Sequence, residues 1–255
     1  MPNGLGFTKM ACVYMARVVE AGGTTPSVSV QHAVEDLTII AHSIFGSNAY
    51  AVYPLYGGNA ASHAINLMGS KYTMVWVDTV THSSFGITGD GATGYGSTGL
   101  NMKTVFSPVR FSFGGYVRSN SAADVYDMGG QATSQGALIK ARTVAGNFVS
   151  TTGSLGGGVT QISTAVAAST GLFVAQRSDH VISGQIRNGV LLAQDADAWS
   201  VMPDLNFAVG AAAGLGTPSA RNLAFAFVCI STSYANQTTW YNAVQAFQTT
   251  LGRQV

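Results

Sequence analysis

The clearest pattern along the chain is a pair of short apolar runs joined by an Asn-Gly turn. Over residues 181–186, Ile, Gly and Ile alternate with Val, Ser and Gln, and a second apolar run follows at Val190–Ala193. The linker is Arg187-Asn188-Gly189, and an Asn-Gly pair in this position predicts a β-hairpin because both residues can adopt the positive φ angles of a primed turn. Further apolar runs at residues 207–210 and 222–230 extend the prediction to antiparallel strands in the middle of a large β-sandwich.

Helical periodicity is confined to the two ends of the chain. Two helical segments separated by Ala21-Gly22-Gly23 are predicted within residues 1–46, and the second ends at Phe45-Gly46. A C-terminal amphipathic helix is predicted near the other end, where Asn236 is placed to cap it and Gly252 to stop it. The predicted apolar stripes consist of Met10, Val13, Tyr14, Arg17, Val18, His32, Val34, Leu37, Ile40, Ala41 and Ile44 in the lead, and of Trp240, Val244, Phe247 and Leu251 in the last helix.

Between these ends, residues 47–232 form short apolar runs separated by Gly, Asn and Ser turns. This pattern predicts a mainly all-β chain, a large antiparallel two-sheet sandwich. We therefore divide the chain into a helical lead at residues 1–46, expected to dock against other protein, and a β-sandwich with its closing helix at residues 47–255.

Composition favours a surface that rests against other protein. Charged residues make up 9% of the chain, against about 25% in typical globular proteins. The net charge of +1 gives no electrostatic basis for binding nucleic acid or an anionic membrane. The first twenty residues lack the basic segment and uninterrupted apolar core of a signal peptide, and the low-polarity segments are too short and Gly-rich to span a membrane. We expect a soluble protein made in a cytoplasm.

The residue types argue against catalysis. A glycosidase needs two carboxylates about 5–9.5 Å apart, yet the chain has only Glu20 and Glu35, both in the lead, and aspartates in turn-like contexts. Gly89–Gly94 spells G-x-G-x-x-G, but no helix follows it, so a dinucleotide site is not predicted. Cys12 and Cys229 are expected to be buried thiols without a disulfide. We predict no enzymatic activity and no cofactor.

Metal binding is also not predicted. His63, His82 and His180 are isolated in the sequence, and structural roles are expected for all three. Asp124 with Asp127, and Asp195-Ala196-Asp197, could each begin an oxygen-ligand site for calcium. Their turn-like contexts favour a solvated loop instead.

Several segments resemble a family of bacteriophage structural proteins with a concanavalin A-like (laminin G-like) jelly roll. They are YAVYPLYGGNAASHAINL at residues 50–67, THSSFGITGDGATGYGSTGLN at 81–101, GLFVAQRSDHVISGQIRNGV at 171–190, the segments around FAVGAA and ARNLAFAFV, and the closing WYNAVQAFQTTLGRQV. The resemblance covers nearly the whole chain, although Leu55 and Tyr56 stand where Phe and a small residue are commoner. It implies that the antiparallel two-sheet sandwich is a concanavalin A-like jelly roll and that the protein associates with a virion, and it carries no catalytic residues.

Two classes of function follow as expectations. The first is a non-catalytic virion structural protein, a capsid-decoration or head or tail appendage subunit that contacts other virion proteins and copies of itself. The alternative is a lectin-like module that binds host or environmental glycan, with a glycoside hydrolase a distant third. Aromatic residues on loop-like segments would form the sugar platform, and the lead would supply the assembly contact. The candidates are Tyr95, Tyr116, Tyr126, Trp199 and Tyr234 for glycan, and Tyr14, Val18, Leu37 and Ile40 for assembly.

Overall fold

The computed structural model describes residues 8–105, 110–132, 135–154, 161–178, 182–196, 202 and 204–255. These residues form two antiparallel sheets and five α-helices, which confirms the predicted sandwich with a helical lead and a C-terminal helix. The helices are α1 (Lys9–Glu20), α2 (Val28–Phe45), α3 (Ala60–His63), α4 (Met102–Val105) and α5 (Tyr234–Thr250), and a 3-10 turn spans Gly46–Asn48. The strands are β1 (Ala49–Tyr53), β2 (Val75–Val77), β3 (Val80–Ser83), β4 (Gly86–Gly89), β5 (Tyr95–Asn101), β6 (Phe111–Val117), β7 (Met128–Ala132), β8 (Gln135–Lys140), β9 (Asn147–Ser154), β10 (Gln161–Ala165), β11 (Gly171–Arg177), β12 (Ile182–Arg187), β13 (Val190–Ala196), β14 (Asn206–Val209) and β15 (Asn222–Cys229).

The two sheets are assembled from strands that are distant in sequence. The eight-stranded sheet has the order β13-β12-β11-β6-β15-β4-β3, and β1 also pairs with β15. The seven-stranded sheet has the order β10-β9-β8-β7-β14-β5-β2. Most of the neighbours in the middle of each sheet are therefore brought together by long connections.

The Asn-Gly hairpin forms as predicted. Asn188 and Gly189 have φ angles of 52° and 75°, and Arg187 pairs with Val190 across the turn. The hairpin lies at an edge of the eight-stranded sheet, however, and not in its middle. Strand β14 belongs to the other sheet. The strands that the sequence predicts as one antiparallel series are therefore divided between the two sheets.

Aromatic side chains fill the core between the sheets. Phe113 on β6 meets Phe207 on β14 with ring centroids 5.2 Å apart, and Phe148 on β9 meets Phe173 on β11 at 4.9 Å. Both pairs are edge-to-face and join one sheet to the other. Such pairs contribute about 0.5–1.5 kcal/mol beyond the burial of their area.

A second buried cluster lies on the outer face of the eight-stranded sheet, beneath a helical layer of α1, α2 and α5. Trp240 of α5 is completely buried, with its rings 5.3 Å from Phe45, 5.8 Å from Phe225 and 5.5 Å from Phe227. The helical lead and the C-terminal helix thus cover the same sheet face. The molecule has three layers, of helices, eight strands and seven strands.

The details of the helices differ from the predicted stripes. In α1 the buried residues are Ala11, Tyr14, Met15 and Val18, whereas Val13 is 46% exposed. In α5 the cap is Ser233, whose hydroxyl accepts a hydrogen bond from the backbone N–H of residue 236. The predicted cap Asn236 is therefore a residue of the first turn. The buried stripe of Trp240, Val244 and Phe247 is confirmed.

A glutamate of α2 links that helix to the N-terminal end of α1. Glu35 of α2 accepts hydrogen bonds from the backbone N–H and the hydroxyl of Thr8, the residue that caps α1. Both cysteines are free. Cys229 is buried as predicted, but Cys12 is partly exposed because it lies beside the buried stripe of α1.

Candidate functional site

A hollow of about 170 Å³ lies on the seven-stranded sheet, on the side away from the core. We call it the outer hollow. Its base is formed by Leu138, Val149 and Thr151, which are nearly buried, with exposed fractions of 5%, 9% and 3%. The residues that line it are Tyr126, Gln131, Leu138, Lys140, Val149, Thr151 and Gln161.

Strand alternation explains why these side chains point away from the core. Ala137 and Ile139 on β8, and Phe148 on β9, belong to the core between the sheets. Successive side chains on a strand face opposite sides, so the intervening Leu138 and Lys140 face outward. The register then places Leu138 opposite Thr151, and Thr151 opposite Gln161, in one row across β8, β9 and β10.

The polar groups of the outer hollow are not engaged elsewhere. Within the described residues, the side chains of Gln131, Thr151 and Gln161 make no hydrogen bond. The ammonium of Lys140 lies 4.5 Å from the centroid of the Tyr126 ring, a cation–π contact. The hollow therefore combines an apolar base with two amides, a hydroxyl and an ammonium that are available to a ligand.

Of the predicted sugar-binding residues that the structure describes, Tyr126 alone lines this hollow. Tyr95 lies in the same sheet on β5, separated from β7 by β14. Tyr116 is buried beneath the helical layer, where its hydroxyl donates to Gln245 Oε1 at 2.7 Å, so it is corrected from a loop residue to a core residue. The Tyr234 hydroxyl accepts from Gln194 Nε2 at 2.6 Å, and Trp199 lies outside the described residues.

The polar lining of the hollow is not predicted by any sequence pattern. Gln131, Lys140, Thr151 and Gln161 come from four different strands, and no local motif connects them. The alternation along β8 and β9 could have indicated this lining. It puts Lys140 two positions after Leu138, and Thr151 two positions after Val149, on the outward face. A second hollow, of about 330 Å³, includes Tyr50 and Tyr72 and was also not predicted.

The histidines of the two motif segments, His63 and His82, meet in space. Their Nδ1 atoms are 3.1 Å apart, and the Trp76 ring packs edge-on to His82 with centroids 4.6 Å apart. His63 Nε2 accepts a hydrogen bond from the backbone N–H of Gly58 at 3.2 Å. That bond leaves the proton of neutral His63 on Nδ1, which then donates to His82. The pair is thus a hydrogen-bonded contact between the two segments.

The carboxylates hold structural elements together. Asp127 was predicted to lie in a solvated loop but is 1% exposed, and its Oδ2 pairs with Arg221 Nη1 at 2.7 Å. Asp90 accepts three backbone hydrogen bonds that close the loop between β4 and β5, at the G-x-G-x-x-G sequence. The N–H of Gly94, followed by those of Ala92 and Thr93, holds the pKa of Asp90 below its usual range.

One of the two weak calcium candidates lies in the part of the chain that the structure describes. Asp195 lies on strand β13 and pairs with Ser183 across the sheet, which corrects its placement in a loop. Asp197 lies outside the described residues. No group of three or more potential metal ligands occurs within the ranges that the structure describes.

The structure places the predicted assembly residues beneath the surface. Tyr14, Val18 and Leu37 are buried against the chain itself and Ile40 is partly buried, because the helical layer packs this stripe on the eight-stranded sheet. An apolar groove of about 670 Å³ runs instead between α1 and α2 on the outside of the layer, and it includes Met10, Val13, Ile39 and Met68.

Among the described helices, none has the length and apolar character needed to cross a membrane.

Comparisons with known proteins show likeness at the level of the fold. No protein-family model matches the sequence, and the comparison with curated proteins gives no match. The structure is similar to the binding domain of botulinum neurotoxin serotype D, with a TM-score of 0.57 and 10% identity over 80% of this chain and 52% of that one. It is also similar to a Trypanosoma rangeli sialidase in complex with 2,3-difluoro-KDN, with a TM-score of 0.55 and 12% identity over 84% of this chain and 38% of that one.

A third similar structure is domain 4 of AbnA, an extracellular GH43 arabinanase of Geobacillus stearothermophilus, in complex with arabinotriose. The TM-score is 0.50 with 13% identity, and the match covers 75% of this chain and 97% of that domain. This chain therefore spans about half of the toxin domain and a smaller part of the sialidase, but nearly the whole arabinanase domain. The fold is that of jelly-roll sandwich domains, one of which, the arabinanase domain, has been solved with a sugar bound.

Proposed function

We propose that this chain is a non-catalytic carbohydrate-binding domain whose ligand contacts the outer hollow. The observation that carries the proposal is the set of unengaged polar side chains above an apolar base. A sugar presents hydroxyls that need donors and acceptors, and C–H surfaces that pack on apolar groups. Gln131, Gln161 and Thr151 supply the first, while Leu138 and Val149 supply the second.

The size of the hollow limits how much ligand it takes. Ligand pockets commonly measure about 300–1,000 Å³, and the outer hollow measures about 170 Å³. We therefore assign it one sugar unit, with the rest of the glycan lying along the seven-stranded sheet. The solved complex of the arabinanase domain, which the match covers almost completely, supports sugar binding as a use of this fold.

The absence of catalysis is part of the proposal. Glycoside hydrolysis needs two free carboxylates on either side of one bond. In the described residues, Glu35 is bound to Thr8, Asp127 to Arg221, and Asp204 to Lys103 and Asn101, and the lining of the outer hollow contains no carboxylate. We expect no release of reducing ends from any polysaccharide that the protein binds.

The test is a glycan array followed by calorimetric titration of the best ligand. Tyr126→Ala and Gln161→Ala should each weaken binding about tenfold, the effect of losing one to two hydrogen bonds or a ring contact. Tyr95→Ala and Tyr72→Ala are matched controls, since they remove a tyrosine from the same sheet and from the second hollow. Equal loss in the controls, or binding that survives both test variants, would place the ligand elsewhere.

A virion structural subunit is the second candidate function, as the resemblance to phage structural proteins implies. The observation that favours it is the apolar groove between α1 and α2, beside which Val13 and Ile39 are 46% and 47% exposed. We propose a second copy of this chain as its occupant. Light scattering should detect oligomers of the intact chain, and Val13→Glu with Ile39→Glu should give a folded monomer. A monomeric intact chain would contradict this assembly role.

A further inference from the structure

The charges around the outer hollow are unbalanced. Lys140 is the one charged side chain among the residues that line it, and no carboxylate pairs with its ammonium in the described part of the chain. The nearest acidic residues in sequence are engaged elsewhere. Asp127 pairs with Arg221, and Asp124 Oδ1 accepts from the backbone N–H of Val144 at 3.3 Å. Asp124 keeps its negative charge in that bond, but it does not line the hollow, so the lining carries one positive charge and no negative one.

The Tyr126 ring holds the Lys140 ammonium in place without occupying all of its N–H donors. The Lys140 ammonium rests 4.5 Å from the centroid of the Tyr126 ring. A cation–π contact of this kind is weak at a partly exposed position, and the ring takes up one side of a group with three N–H donors. The remaining donors are free for a ligand in the hollow.

We propose that Lys140 selects glycans that carry an anionic group, so that the outer hollow takes an acidic sugar rather than a neutral one. This inference rests on the proposed carbohydrate-binding function. The neutral amides and hydroxyl of Gln131, Gln161 and Thr151 suit the hydroxyls that all sugars share, and so they do not distinguish acidic from neutral sugars. The ammonium forms its strongest hydrogen bonds with a carboxylate or sulfate, since charge-assisted bonds are about twice as strong as neutral ones.

The experiment uses an array of matched glycans, in which each neutral oligosaccharide stands beside the same core bearing a sialic or uronic acid and beside its sulfated form. The intact chain should bind at least one acidic form about tenfold more tightly than its neutral core. Added salt should weaken the acidic complex and leave the neutral complex nearly unchanged. The carboxylated and sulfated forms show which anion is preferred.

Three variants test the residue. Lys140→Gln should reduce the affinity for the acidic glycan to that of its neutral core, and Lys140→Arg should keep the preference. Lys71→Gln is the control, at an exposed lysine that does not line the outer hollow. If the intact chain binds neutral and acidic forms equally while Tyr126→Ala weakens both about tenfold, the binding function stands and the selection by Lys140 is wrong. If Lys140→Gln also loses the neutral glycans, the lysine does not select charge. If no glycan binds, the proposed function itself fails.

Discussion

His63 and His82 face each other through Nδ1 atoms 3.1 Å apart, and this contact ties the segment after β1 to strand β3. Burial, followed by the neighbouring His82 and then Arg253, lowers the pKa of His63 from 6.5 to about 3. Burial also lowers the pKa of His82. The pair is therefore neutral in the folded protein at pH 7, with one proton between the two rings.

The first prediction concerns acid sensitivity. Between pH 6.5 and about 3, the unfolded chain binds a proton at His63 that the folded chain does not. The free energy of unfolding should therefore fall with decreasing pH by up to about 1.4 kcal/mol per unit from this residue. Urea unfolding measured from pH 7 to 4 should show a shallower pH dependence for His63→Gln than for the intact sequence. Parallel curves for the two proteins would contradict the assignment.

The second prediction concerns the buried ion pair of Asp127 and Arg221. Asp127→Asn should lower the free energy of unfolding by about 3–5 kcal/mol, because it leaves the guanidinium buried without its counter-charge. Lys103→Met is the control: it removes the exposed pair with Asp204 and should cost less than about 1 kcal/mol. Urea unfolding of both variants at one pH gives the comparison.

A double variant of that pair distinguishes the effect of an unpaired buried charge from the effect of losing the hydrogen bonds that Arg221 makes to the backbone. Arg221 also donates to the carbonyl oxygens of Ser121, Ala123 and Arg142, so it holds together the segments on either side of it. Replacing both partners by apolar residues removes the guanidinium donor from all three carbonyls, and only that of Arg142 keeps another, the backbone N–H of Ala123. We therefore expect Asp127→Leu with Arg221→Met to be no more stable than Asp127→Asn. Recovery of stability in the double variant would show that charge alone matters at this position.

Local signals explain which parts of the fold the sequence predicts. Asn188-Gly189 specifies its own hairpin, because the positive φ angles depend on those two residues. The spacing of Trp240, Val244 and Phe247 likewise specifies one buried helix face. Such features need no knowledge of distant partners.

Long-range partners explain the errors. Tyr116 is in a glycine-rich segment that favours a loop, but a helix more than a hundred residues later covers it. Asp127 has the context of a turn residue, and its burial depends on Arg221, 94 residues away. The outer hollow depends in the same way on the register of four strands. No short segment determines the order of the strands in a sheet, so the outer hollow could not be predicted from the sequence.

The third prediction tests the backbone beneath the outer hollow. Gly129 has a φ of 128°, and a Cβ there would lie 1.9 Å from the carbonyl oxygen of Ala137 on the neighbouring strand. Gly129→Ala should therefore lower the free energy of unfolding by at least about 3 kcal/mol, since both the backbone and the strand pairing must shift. Gly146→Ala is the control, with positive φ but no atom within 4 Å of the added carbon, and it should cost about 1–2 kcal/mol. Equal costs would mean that β7 and β8 pair less closely than the structure shows.

The fourth prediction tests whether the helical lead is part of the folded unit. Trp240 of α5 packs on Phe45, the last residue of α2, with ring centroids 5.3 Å apart, and both side chains are buried. Trp240→Ala should lower the free energy of unfolding by about 3–5 kcal/mol, and Phe45→Ala should have a similar effect. Because the two rings touch, the double variant should cost less than the sum, with a coupling of about 0.5–1.5 kcal/mol. Removal of residues 1–46 would expose the aromatic face of the eight-stranded sheet, so the shortened chain should aggregate or unfold at a lower urea concentration. A shortened chain as stable as the intact one, together with additive single variants, would show that the lead is an independent segment resting on a complete sandwich.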